Sequence, residues 1–434
     1  MPFPGQTPQP PAPAPGGFPT LDRRRFLQGV ALAGLTLPAA NLLSACGGSG
    51  SSDSSGGGGG RKVTLGFIPL TDCAPLVIAL EKGFFKERDL DVTLENGKSW
   101  PAVRDKLLNG EFDGSHCLYT MPLAVATGVS KIEGAAAKQK SLRVAMMLNE
   151  NGQAITLASD LADCGYADLD ATKETLTAKK PKSLGMTFPG GTHDLWLRYW
   201  LKAVGVDPQE LGIEIKPIPP PDMFANLNQE NVRGYCVGEP WNARAVLKKK
   251  GFTTLATQDL WANHPEKALV VNDTFATEKA DVLQDVMAAV IEAQQWLDQP
   301  ENTKETAKII GVPKYVNATP EEIEGRLGGI YDFGEGVGEE DFGDLRMRFF
   351  RDGMTPFPRQ GYLIWAMAQY VRFGYLPELP DPALADELIL SDVYAEVAKG
   401  AGVDVPDDAM APIEIALDGV TFDPSTPDSE AVRA

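Results

Sequence analysis

The chain has 434 residues, 43% of them hydrophobic and 23% charged, which suits a globular protein of two domains or lobes. Its 59 acidic and 40 basic side chains leave a formal net charge of −19, so no basic face is available and no nucleic-acid partner is expected. Acidity does not exclude a small anion as ligand, because local donors decide that.

The first 20 residues are rich in Pro and Gly and have little to bury. "DRRRFLQ" follows, with Arg23 and Arg24 ahead of Phe26-Leu27, then the apolar stretch "GVALAGLTLPAANLL". That stretch is too short for a stable membrane span. It ends in "LSAC", Leu43 to Cys46. This order of features predicts a twin-arginine lipoprotein signal peptide over 1–45. Cleavage before Cys46 and a lipid on its sulfur would tether the exported protein to the periplasmic side of the inner membrane. A Gly/Ser linker, 46–60, comes next and should behave as a coil spanning about 20 Å. Four further cysteines, Cys73, Cys117, Cys164 and Cys236, lack the C-x-x-C spacing of a zinc site. Buried free thiols are expected at Cys117 and Cys236, which sit in apolar runs.

From Arg61 onward, strands alternate with helices. "KVTLGFIPL" reads as a buried strand, and "APLVIALEKGFFKE" as a helix with Leu76, Leu80 and Phe84 on one face. "LDVTLEN" is a strand, "PAVRDKLLNGEF" a helix with Pro101 in its first turn, "DGSHCLY" a strand and "MPLAVATGV" a helix. A second series follows: strand "KSLGMTF", helix "HDLWLRYWLKAVG", strand "IEIKPIP", short helix "PDMFANLNQ", strand "RGYCVGEP", helix "NARAVLKKKG". A long amphipathic helix carries Val282, Val286, Ala289, Val290, Ala293 and Leu297 at helical spacing. Such alternation builds open, mostly parallel sheets with helices on both faces. The expected fold is α/β, with two lobes and a ligand cleft between them. Residues 61–153 and 268–434 would form one lobe, and residues 154–267 the other.

The blocks "LGFIPLTDCAPLVIALEKGFF", "SWPAVRDKL", "TFPGGTHDLWLRYWL", "PPPDMFANLN", "YCVGEPWNA" and "LWANHPEK" occur in this order. The chain thereby resembles the nitrate- and bicarbonate-binding lipoproteins of bacterial ABC transporters, over essentially everything after Lys62. The resemblance implies a type II-like periplasmic binding protein that captures an oxyanion and hands it to a permease and its ATPase. It also implies that nitrate binders carry a lysine where bicarbonate binders have a glutamate working with calcium. That position aligns with Lys267, so nitrate or nitrite is the expected ligand, with no metal and no cofactor. A bicarbonate carrier is the nearest alternative, and a sulfonate carrier a more distant one.

Nitrate accepts hydrogen bonds and donates none, so its site needs donors and one positive charge. Lys267 would supply the charge. His193 stands at a helix start, where free N–H groups and the helix dipole gather, after the permissive pair Gly190-Gly191. Thr192 reads as the N-cap, and Gly191 allows close backbone approach. Gln153 offers an amide donor near a lobe crossing, and Trp100 an indole N–H. By the resemblance His193 touches the ligand. The family match favours the same for Trp100, whose alternative role is simple packing. Pro101 departs from the family, because it removes a backbone donor. Glu239 would repel nitrate directly, so a bracing role is expected, with pairing to Lys267. Trp196, Tyr199 and Trp200 are expected in the core. With three histidines, no nucleophile motif and no phosphate loop, no enzyme is expected. A monomer is expected.

Overall fold

The computed structural model describes residues 60–131 and 141–433. The signal peptide, Cys46 and all of the linker before Gly60 lie outside the described residues.

Alternating Val63, Leu65 and Phe67 bury strand β1 (Arg61–Phe67) inside the first sheet. It is flanked in parallel by β2 (Leu90–Asn96) and β3 (Gly114–Leu118). With β4 (Leu142–Glu150) and β10 (Pro265–Asn272) the order is β2-β1-β3-β10-β4. The second sheet holds β5 (Gln153–Ala158), β6 (Ser183–Met186), β7 (Glu214–Pro217), β8 (Gly234–Gly238) and β9 (Gly251–Ala256), in the order β7-β6-β8-β5-β9. Each sheet is parallel except for one strand. β10 runs antiparallel to β3 and β4, and β5 antiparallel to β8 and β9. All residues of β5 and β10 are buried, as befits strands covered on both faces.

Helices Ala74–Glu81 and Ala280–Leu297 cover one face of the first sheet. The six apolar residues expected on the inner side of the second of these are all buried, together with Leu283, Met287, Ile291 and Gln294. Helix Trp100–Asn109 belongs to the other core, with Trp100, Val103 and Leu107 fully buried. Trp196, Tyr199 and Trp200 lie in that core too, and the four described cysteines are buried free thiols.

Two exceptional strands mean two crossings between the sheets. Asn151 (φ 60°) and Gly152 (φ 83°) join β4 to β5, and Asn263 (φ 58°) precedes β10. The Asn151 N–H donates to the His264 carbonyl at 3.1 Å and ties the crossings together. Asn tolerates left-handed backbone, and the positive φ favours glycine at 152, where a Cβ would also lie 2.2 Å from Met347 Cε and displace that side chain. The expected lobe limits, 153/154 and 267/268, fall inside β5 and β10, just beyond these crossings.

Candidate functional site

The loop after β6 turns sharply at Gly190 (φ 73°) and feeds helix Thr192–Val204. A Cβ at Gly191 would sit 2.8 Å from Leu118 Cδ1 and 3.0 Å from the Phe188 carbonyl, so the backbone packs too closely for any side chain. The helix cap is Gly191 rather than Thr192, contrary to the sequence expectation. Thr192 is already helical, and its hydroxyl donates to the Glu266 carboxylate instead. A buried carboxylate is the stronger acceptor, and helix-start N–H groups are left to other partners.

His193 is fully buried. Its Nε2 lies 2.7 Å from Gln153 Oε1 and its Nδ1 2.8 Å from Thr187 Oγ1. With Nε2 donating to the amide oxygen, Nδ1 accepts from the threonine hydroxyl. Burial, reinforced by the Lys267 charge, pushes the imidazole down to about 3, so it is neutral. Gln153 opens β5 just past the crossing. Its Nε2 donates to Asp72 Oδ2 at 3.1 Å and to the Asn151 carbonyl at 3.3 Å.

Lys267 is fully buried on β10. Its Nζ stands 2.8 Å from Glu266 Oε1 and 3.0 Å from Asp72 Oδ2. Neighbours on a regular strand face opposite sides. Here the β10–β4 register shifts on both sides of Lys267, and this irregularity lets Glu266 and Lys267 meet. Burial alone would lower the lysine, but Asp72 and Glu266 outweigh it and raise it, so the ammonium persists. Likewise burial pushes the Asp72 carboxyl up, while Lys267 and His116 overcome this and hold it below the ordinary carboxylate range. His116 Nε2 lies 2.7 Å from Asp72 Oδ1, and its Nδ1 accepts from the Ile68 N–H at 3.4 Å. Burial lowers this histidine as well.

Glu266 is enclosed by donors. Oε1 receives Thr192 and Lys267, and Oε2 receives Trp196 Nε1 at 2.9 Å. The Trp100 ring centroid lies 5.9 Å from Lys267 Nζ, within cation–π range. The buried Trp100 indole N–H has no protein acceptor among the described residues. Pro101 is exposed in the first turn of its helix, where the missing N–H costs the helix no bond.

Glu239 does not reach Lys267, which corrects the expected pairing. Its Oε1 lies 2.7 Å from Arg326, and its Oε2 accepts the Ala243 N–H at 3.0 Å. Arg326 comes from a distant part of the chain that local pattern cannot place. Glu239 braces the seam through its backbone: its carbonyl accepts the Thr71 N–H at 2.7 Å.

Trp100, Gln153, His193, Thr192 and Lys267 thus converge, with Gly191 shaping the loop. Sequence reasoning missed Asp72, His116 and Glu266. Their signals were present: a carboxylate in the apolar "PLTDCAP", one of three histidines within an apolar strand, and an acid beside Lys267.

Two α/β lobes joined by two crossings, with buried polar groups from both at the seam, define a two-lobed solute-binding protein. The chain belongs to the NMT1-like family, whose sequence profile matches residues 56–311. It is similar to the nitrate/nitrite binding protein NrtA of Synechococcus elongatus, at 38% identity over 434 residues, 93% of this chain and 96% of that protein. The crystal structure of the periplasmic nitrate-binding protein NrtA from Synechocystis PCC 6803 superposes with a TM-score of 0.81 at 33% identity, covering 86% of this chain and 97% of that one. The bicarbonate-binding protein CmpA of Synechococcus elongatus is more distant, at 30% identity, with 94% of this chain and 97% of that protein covered.

Proposed function

We propose that this protein captures nitrate, and nitrite with it, outside the inner membrane and delivers it to the permease and ATPase of an ABC-type importer. The carrying observation is the buried Lys267 ammonium at the seam of the two lobes. Around it stand the Trp100 indole, the Gln153 amide, His193 and the Thr192 backbone N–H at the helix start, with Gly191 allowing the close approach. The ligand binds in contact with these groups, and Glu239 braces the closed seam. Because the groups come from both lobes, the ligand stabilises closure by differential contact. A bicarbonate ligand would need an acceptor for its O–H, and both Glu266 oxygens are already engaged by protein donors. No metal, cofactor or chemical conversion enters this reading.

Calorimetric titration of the full-length protein tests it. Nitrate and nitrite should bind without calcium, and bicarbonate should give no heat with or without calcium. Binding of bicarbonate alone, dependent on calcium, would overturn the assignment.

We further propose a monomer anchored through a lipid on Cys46, exported by the twin-arginine route. The order of arginine pair, apolar stretch, "LSAC" and Gly/Ser linker supports it. In cell fractionation Cys46→Ala should move the protein from the membrane pellet to the soluble periplasmic fraction. Complete retention in the pellet would remove the lipid anchor.

A further inference from the structure

Glu266 is an unexpected neighbour for an anion. Asp72, Glu266 and Lys267 are all fully buried, so two carboxylates face one ammonium. The histidines do not correct the imbalance. His193, His116 and His264 pack against the same cluster, and burial keeps each of them below its ordinary range. His193 Nε2 stands 3.6 Å from Glu266 Oε1, and His264 Nδ1 stands 3.8 Å from Glu266 Oε2. Glu266 accepts from Thr192, Trp196 and Lys267 and donates to none of them, the pattern of an ionised carboxylate. The cluster therefore carries one net negative charge before any ligand arrives.

Glu266 is not needed to hold the lysine in place, because Asp72 still grips Lys267 at 3.0 Å and Trp100 still lies beside it. Nor is it open to the ligand as an acceptor. What it changes is the field that an entering anion meets. Among side chains this fully buried, a unit charge a few ångströms away is weakly screened. Its repulsion scales with the ligand's charge, so a divalent oxyanion is penalised twice as much in free energy as a monovalent one.

We infer that Glu266 is a specificity-determining positioning residue that acts through Lys267, tempering its charge so that the cleft admits a monovalent oxyanion, releases it readily and rejects a divalent one. This rests on the oxyanion-binding reading above.

The test titrates the full-length protein, wild type, Glu266→Gln and Glu266→Asp, with nitrate and with sulfate, and checks folding by thermal melting. Glu266→Gln should bind nitrate roughly tenfold more tightly, and sulfate should gain by a larger factor. Glu266→Asp keeps the charge and should show neither gain. A residue that merely supports the fold would behave oppositely, with Gln weakening nitrate at least as much as Asp. That outcome, or an unchanged nitrate-to-sulfate ratio in Glu266→Gln, overturns the inference. If Glu266→Gln does not fold, Asp72→Asn removes the other charge and should shift the same ratio in the same direction; no shift would overturn it. Absence of nitrate binding by the wild type would instead sink the functional reading itself.

Discussion

Lys267→Ala should weaken nitrate binding about 10- to 150-fold, because a hydrogen bond to a charged group contributes about 1.5–3 kcal/mol and 1.4 kcal/mol is tenfold. It should also destabilise the free protein by about 3–5 kcal/mol, the usual cost of removing one partner from a buried ion pair. The reason is on view in the cluster: without the ammonium, Asp72 and Glu266 face one another as buried carboxylates, with His116, Gln153, Thr192 and Trp196 as their remaining donors. Titration calorimetry and urea unfolding separate the two effects. Lys267→Glu should be worse on both measures, since it adds a third negative charge. A change in nitrate affinity below about twofold at low salt would place the lysine outside the binding site and reopen the bicarbonate reading.

Arg326→Met should cost about 3–5 kcal/mol of stability and weaken nitrate binding as well. The Arg326–Glu239 pair is buried on both sides, and the guanidinium also donates to Thr253 Oγ1 at 2.6 Å and to the Asp332 carbonyl at 3.2 Å. Removing it leaves the Glu239 carboxylate with the Ala243 N–H alone. The effect on binding passes through the backbone, because the Glu239 carbonyl takes the Thr71 N–H next to Asp72. Combining Arg326→Met with Glu239→Gln removes the stranded charge, so the double variant should recover part of the loss. Urea unfolding of the two single variants and the double variant measures the coupling. A cost below about 1 kcal/mol for Arg326→Met would show that the pair does not brace the seam.

Much of the scaffold was legible in the sequence, and for local reasons. Helical spacing from Val282 to Leu297 identified the inner face of a helix, since side chains at i, i+3 and i+4 share one stripe. Apolar runs such as "KVTLGF" marked buried strands. Gly190-Gly191 announced tight backbone geometry and close approach, which the positive φ of Gly190 and the close contacts at both glycines match. The alternation of strands and helices specified two mostly parallel sheets, because a parallel pairing requires a crossover.

The charge arrangement at the seam was a different matter. Strand alternation would put Glu266 and Lys267 on opposite faces, and only the register shifts along β4 bring both into the cluster. Thr192 looked like a helix cap until a carboxylate from β10 offered a stronger acceptor. Glu239 and Lys267 could be named as ions from the sequence, but their partners, Arg326 and Asp72, lie far away along the chain. The sequence by itself determined the elements, the glycine loop and the residue types able to hold an anion, because those depend on neighbours a few positions away. Only the tertiary structure decided which charges pair, because Coulomb interactions follow distance in space, and that distance is set once both crossings have brought the lobes together.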